Sequence, residues 1–233
     1  MISKTIIDNT IYIDIETCGA YSTLSDVKEK DPLLHSLWEK RCKWLSKNID
    51  EGESAEIEDL WTKRSSLHPE FGKIICITFG VFTQAGEEKI TSFYGEDEYD
   101  ILVKSNKVLS NSRMKGFNIA GLNIKNFDIP YMGKRMLANK INPDTSIQSW
   151  NKKPWELSYM DLGDIFSFGA WGQSFSSLEL ISHTLGVESS KGEMEGSDVH
   201  DYYWNKGKIE EIKDYCERDV ICTMKCFKEI SDL

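Results

Sequence analysis

Residues 10–16 read Thr10-Ile11-Tyr12-Ile13-Asp14-Ile15-Glu16. The period is two, so Ile11, Ile13 and Ile15 fall on one face of a strand and Tyr12, Asp14 and Glu16 on the other. Aspartate is disfavoured in strands. In a central strand both carboxylates face a covered layer, which is costly unless something positive neutralises them. In an edge strand one face is solvated and the same charges need no partner. The segment by itself leaves both readings open.

Outward from this strand, about fifty polar residues follow, with Leu33, Leu34, Leu37, Trp38, Trp44, Leu45, Leu60 and Trp61 at spacings that predict two or three short helices. Residues 21–70 therefore read as an inserted helical segment. Lys73–Phe82 and Glu88–Tyr94 are two strands joined at Gln84-Ala85-Gly86, and Asp97 caps a helix running to about Ser110. A fourth strand is expected from about Met114 to Leu122. It runs into Asn123-Ile124-Lys125-Asn126-Phe127-Asp128-Ile129-Pro130, where the proline suits the start of a helix reaching Asn139. Tyr159–Leu162 is a fifth strand, Ser176-Ser177-Leu178-Glu179 a capping box, and Gly186 a helix stop. Residues 187–207 read as a loop. From Lys208 to Ile230, residues Ile209, Ile212, Cys216, Val220, Met224 and Phe227 make one apolar stripe on a long helix. Strands clustered early and helices interleaved later predict an α/β sandwich with a mixed sheet in a single domain spanning 1–233.

Composition narrows the function. The 233 residues carry 28 Lys and Arg against 38 Asp and Glu, a net charge of −10, which excludes a uniformly basic nucleic-acid coat and leaves only a local phosphate-binding surface. The longest apolar stretch, Ile74–Phe82, is far short of the roughly 20 residues of a membrane span, and the first residues lack a secretory pattern. The expected location is the cytoplasm, with no membrane partner. The six cysteines read as reduced thiols, and no paired Cys or His motif completes a zinc site. Glycine-rich phosphate loops and Gly-x-Ser-x-Gly elements are absent, which removes the usual nucleotide-triphosphatases and serine hydrolases.

Each acid has a bland reading. Asp128, just before a helix with a proline two positions on, looks like an ordinary N-cap. Asp219, four residues after Tyr215 on the last helix, could be a solvated surface acid beside Glu217 and Arg218. Their order and local contexts suggest more. Asp14-Ile15-Glu16-Thr17, Asn123 to Asp128, and Tyr215-Cys216-Glu217-Arg218-Asp219 resemble the three exonuclease motifs of the DEDD superfamily in its tyrosine version. The chain is most similar to stand-alone proteins related to the 3′→5′ exonuclease domain of family-B DNA polymerases. The resemblance extends over Leu67–Gly80 and Lys191–Val199 and is weakest over 21–66. The histidine version would need His where Asp214 stands.

That resemblance implies a ribonuclease H-like fold, a mixed sheet of five strands flanked by helices with the first strand central. It implies two Mg²⁺ or Mn²⁺ ions, with Asp14 bridging them, Glu16 and Asp219 completing one site and Asp128 reaching the other. Tyr215 orients the attacking water, since a phenol with a pKa near 10 is a poor base at neutral pH. Thr17, Asn123, Phe127 and Lys191 are the implied substrate contacts. The expected activity is metal-dependent 3′→5′ exonuclease hydrolysis of single-stranded DNA to nucleoside 5′-monophosphates. The alternatives are an exoribonuclease of the ribonuclease-D type and a catalytically silent nucleic-acid-binding module. Any protein partner, a polymerase included, would be a separate chain. Lys125, Lys134, Arg135, Lys140, Lys152 and Lys153 outnumber the acids between them by four and read either as a backbone groove or as a solvated helix face. Trp150, Trp155, Trp171 and Phe175 either stack unpaired bases or belong to the core.

Overall fold

A computed structural model describes residues 2–45, 56–153, 156–157, 159–169, 176–190, 192 and 194–231. A short helix, α1 (Lys4–Asp8), leads into β1 (Thr10–Gly19), and helices α2 (Leu24–Lys30), α3 (Pro32–Leu45) and α4 (Ile57–Arg64) follow before β2 (Gly72–Phe82) and β3 (Glu88–Tyr94). Next come α5 (Glu98–Met114), β4 (Asn118–Gly121), α6 (Asp128–Ala138), β5 (Tyr159–Asp161) and α7 (Leu162–Ser167). The described chain closes with α8 (Leu178–Leu185), α9 (Val199–Trp204) and α10 (Ile209–Ser231).

The five strands form one mixed sheet in the order β3-β2-β1-β4-β5, with β1 in the middle. β1 runs antiparallel to β2 and parallel to β4. The edge-strand reading of Asp14 and Glu16 is therefore excluded. On one face Ile11, Ile13 and Ile15 join a core with residues of α5 and α6. On the other, Tyr12 packs edge-on against Phe82 and Phe227, in a core shared with Val220 and Met224 of α10. Asp14 and Glu16 thus face α10, as alternation from Tyr12 requires.

A β-bulge interrupts the β1–β2 ladder between Glu16 and Thr17. Two successive β2 residues, Ile75 and Cys76, oppose Glu16 and its surroundings, and Ile74 returns to the opposite core while Ile75 joins a cluster with Cys18, Val199 and Ile212. Glu98 of α5 accepts the Ile74 N–H at 2.7 Å and pairs with Arg135 of α6 at 2.6 Å. This nearly dry ion pair ties β2, α5 and α6 together. Gly80 serves the other face, because a Cβ there would lie 2.5 Å from the Met224 sulfur and 2.7 Å from Val220. Its bare backbone lets α10 lie close against β2.

Three expectations need correction. The fourth strand begins at Asn118 rather than Met114, because α5 continues through Met114 and ends in a turn with Gly116 at φ +73°. The helix at 178 is capped by Ser177, whose hydroxyl accepts the Leu180 N–H, and not by a box starting at Ser176. The 187–207 segment is not all loop. Within it α9 docks on the end of β1, where His200 Nδ1 accepts the Gly19 N–H at 3.1 Å and Trp204 Nε1 donates to the Gly19 carbonyl at 2.9 Å. The inserted helices have a core of their own, with Trp38 edge-on to Trp61 at 5.2 Å and to Phe71 at 5.0 Å. Among the described residues no helix is long and apolar enough to cross a membrane.

Candidate active site

β4 stops at Gly121, and its pairing with β1 ends at Tyr12 opposite Ala120, so β1 outruns its parallel neighbour. The exposed edge of β1 leaves the Ile15 N–H without a ladder partner, and Asp128 Oδ1 accepts it at 3.1 Å. Asp128 is the first residue of α6 and caps nothing; the N-cap is Phe127, whose side chain makes no capping bond. The turn before α6 is held by Asp161 at the end of β5, which accepts from the N–H groups of Asn123 (2.9 Å), Lys125 (3.2 Å) and Gly163 (3.0 Å). Within that turn Asn123 adopts φ +56°, a left-handed conformation that asparagine tolerates better than most residues.

α10 brings the third set. Ile212, Cys216 and Val220 are buried and seat the helix against the sheet, which aims Tyr215 and Asp219, one turn apart, at the carboxylates of β1. Asp14, Glu16, Asp128, Tyr215 and Asp219 line one cavity of about 250 Å³. Thr17, Asn123 and Phe127 line it too, so eight of the nine residues expected at the site meet in one place. The ninth, Lys191, lies outside the described residues. Thr17 is fixed by its hydroxyl, which donates to the Ser66 carbonyl at 2.9 Å.

Among the described residues no Lys or Arg pairs with Asp14, Glu16 or Asp128. Burial, and then the charges of Asp128 and Asp219, hold the Asp14 carboxyl well above the ordinary range, against the opposing hydrogen bond from Cys216. Burial followed by Asp14 and Asp219 raises Glu16 in the same way. Burial pushes Asp128 up to about 7 despite hydrogen bonds from backbone N–H groups. Asp219 is also raised by burial, which outweighs hydrogen bonds from Ser190 and Tyr215 and the nearby Arg218 charge. Tyr215 is raised far above a free phenol by burial and by Asp219, Glu16 and Asp14. Such mutual repulsion in a low-dielectric site is relieved by protons or by cations. The donors are carboxylate oxygens, the ligands that hard divalent ions take, so the residues fit Mg²⁺ or Mn²⁺.

Sequence reading missed several neighbours. Cys216 Sγ donates to Asp14 Oδ2 at 3.2 Å, and its sulfur lies within 4.8 Å of carboxylate oxygens of both Asp14 and Glu16. Its place on the apolar stripe of α10 made it indistinguishable from a core thiol. Ser66, Leu67 and Gly196 also line the cavity, and Ser190 bonds Asp219; Leu67 and Gly196 fall in the stretches of family resemblance, without any mark that set them apart as site residues. The basic run after Lys125 does not gather into one groove, although Lys134 lines one with residues of α3. Lys125 pairs with Asp164, Arg135 is spent on Glu98, and Lys152 donates to the Thr145 carbonyl. Trp150 is exposed, while Trp155, Trp171 and Phe175 lie outside the described residues.

Residues 65–231 match a family model described as a predicted 3′-5′ exonuclease related to the exonuclease domain of PolB. No curated protein matches the chain. Among solved structures, the family B DNA polymerase from the hyperthermophilic archaeon Pyrobaculum calidifontis is similar over 95% of this chain, with a TM-score of 0.57 and 14% identity. The chain spans only 24% of that polymerase. The likeness is one of fold, the ribonuclease H-like sandwich of polymerase exonuclease domains.

Proposed function

Because the chain belongs to the family of predicted 3′-5′ exonucleases related to the PolB exonuclease domain, we propose that it is a metal-dependent 3′→5′ exonuclease of the tyrosine DEDD subtype. Its substrate on this reading is single-stranded DNA, from which it releases nucleoside 5′-monophosphates. One observation carries the proposal. Acids from β1, α6 and α10, remote in sequence, converge with Tyr215 on a single cavity, and among the described residues no Lys or Arg pairs with Asp14, Glu16 or Asp128. A fold that needed only stability would have little use for such repulsion.

Asp14, Glu16, Asp128 and Asp219 would hold two divalent cations, which when bound supply the countercharge for the phosphodiester and an activated water. The Ile15 N–H fixes the Asp128 carboxyl through Oδ1. Tyr215, kept protonated by burial and by the acids around it, is no base; its one proton is donated to Asp219, and its hydroxyl oxygen accepts from the attacking water and orients it. Phe127, Asn123 and Thr17, which line the same cavity, are the proposed contacts to the terminal nucleotide. Lys191 remains the proposed phosphate contact.

The test is hydrolysis of matched DNA and RNA oligonucleotides, labelled at the 5′ end, in Mg²⁺ and in EDTA. A ladder of products shortened from the 3′ end of the DNA, absent in EDTA, is the expected result. A ladder on RNA alone would move the protein to the exoribonuclease reading. No cleavage of either would leave a binding module.

A further inference from the structure

Resting on the nuclease reading, we propose that the groove between α3 and α6 carries the single-stranded DNA upstream of its 3′-terminal nucleotide, with phosphates against Lys40, Arg41 and Lys134 and a base against Trp44. The groove encloses about 860 Å³, against about 250 Å³ for the acidic cavity, and the two share Leu67 and Phe127 as a common wall. A strand whose last nucleotide sits among the acids therefore has a continuous path into it.

The wall on the α3 side is a helix stripe. Leu37, Lys40, Arg41 and Trp44 recur at the i, i+3, i+4, i+7 spacing and line the groove, while Trp38 and Cys42 on the adjoining face are buried in the insertion's own core. The Trp38–Trp61–Phe71 packing holds that stripe in place. Its chemistry suits an unpaired strand. Lys40 and Arg41 form no ion pair among the described residues. The bond from Lys134 to Glu70 joins side chains 57% and 59% exposed, a pairing that a phosphate can readily replace. Three cations thus face one acid in the groove of a chain whose net charge is −10. Arg41 lies 4.5 Å from the centre of the Trp44 ring, and that ring is 55% exposed. Exposed aromatics beside cations stack bases without regard to sequence. A protein partner would gain nothing from the link to the acidic cavity, which is why a polyanion is the better occupant.

The experiment compares kcat/KM for an oligothymidylate dodecamer and for a thymidine dinucleotide in the wild type and in Lys40→Ala/Arg41→Ala. The dodecamer-to-dinucleotide ratio is expected to fall about tenfold or more, because only the longer substrate reaches the groove. Trp44→Ala, an exposed and uncharged change, should lower the same ratio. Unchanged ratios in both variants overturn the groove. If the wild type cleaves neither substrate, the nuclease reading fails and the groove is judged separately, by fluorescence anisotropy of a labelled dodecamer in EDTA. Binding should then weaken about tenfold in the double variant, and the log–log salt slope should flatten by about 1.4, the value for two lost single-strand phosphate contacts. Equal affinity and slope overturn it.

Discussion

The clearest consequence of the buried acids concerns Asp128→Asn in metal-free protein. Asparagine keeps an oxygen to accept the Ile15 N–H and has the same shape, so what it removes is the charge. Burial raises the Asp128 carboxyl from its ordinary 3.8 to about 7. A carboxyl raised on folding stabilises the native state fully below its unfolded pKa, and that contribution is lost as pH rises through the folded one. The interval from 3.8 to about 7 corresponds to about 4 kcal/mol at about 1.4 kcal/mol for each tenfold in proton affinity. In EDTA, the Asn variant should therefore match the wild type near pH 4 and exceed its stability by up to about 4 kcal/mol above pH 8. Urea denaturation followed by circular dichroism at several pH values measures the difference. Saturating Mg²⁺ should reverse the order at alkaline pH, because it stabilises the wild type and finds a ligand missing in the variant. A stability difference that does not change with pH, or a variant less stable than the wild type at alkaline pH, would refute the claim that Asp128 is a charge held against the cost of its own burial.

Asp14→Ala removes an acid that is raised by Asp128 and Asp219 and itself raises Glu16, and should abolish Mg²⁺ or Mn²⁺ binding by titration calorimetry, together with nearly all hydrolysis, while raising metal-free stability at pH 8. Tyr215→Phe deletes only a hydroxyl and should slow hydrolysis on the order of 10- to 1000-fold with metal binding and KM little changed; full activity would reject the orienting role, and loss of metal would show the residue to be a ligand. Glu98→Ala strands the largely buried Arg135 and should cost about 3–5 kcal/mol in denaturant unfolding, with Glu98→Gln less damaging because its one amide oxygen still accepts from the Ile74 N–H.

Much of the fold was legible because its signals are local. The alternation at 10–16, the hairpin turn at Gly86 and the stripe on α10 each lie within one segment, and the observed strands and helix follow them. What lay beyond reading was who sits next to whom. Whether β1 is central depends on β2 and β4, and period two is the same at an edge. The bulge opposite Glu16 depends on the register between two strands, and α9 exists because His200 and Trp204 find the open end of β1. Asp128 looked like a cap because a cap is what its own neighbours suggest. Its partner, Ile15, is 113 residues away.

Burial by itself does not separate the acids that build this fold from the two on β1 at the heart of the cavity; the donors they receive do. Glu98 accepts from the Ile74 N–H, from the Arg135 guanidinium and from the Asn139 amide. Asp161 accepts from three backbone N–H groups. Both are buried with their charge answered, and their work is to place β2, α6 and the turn at Asn123. Asp14 receives only a thiol, and Glu16 has no hydrogen-bond partner among the described residues. A carboxylate desolvated without donors is stable only if something from outside the chain completes it. The satisfied acids sit on β5 and at the start of α5, where they anchor the turn and the helix that carry Asp128. Thus the rigid, fully bonded pair aims the unsatisfied set, and the cavity keeps its geometry even though its own members repel one another.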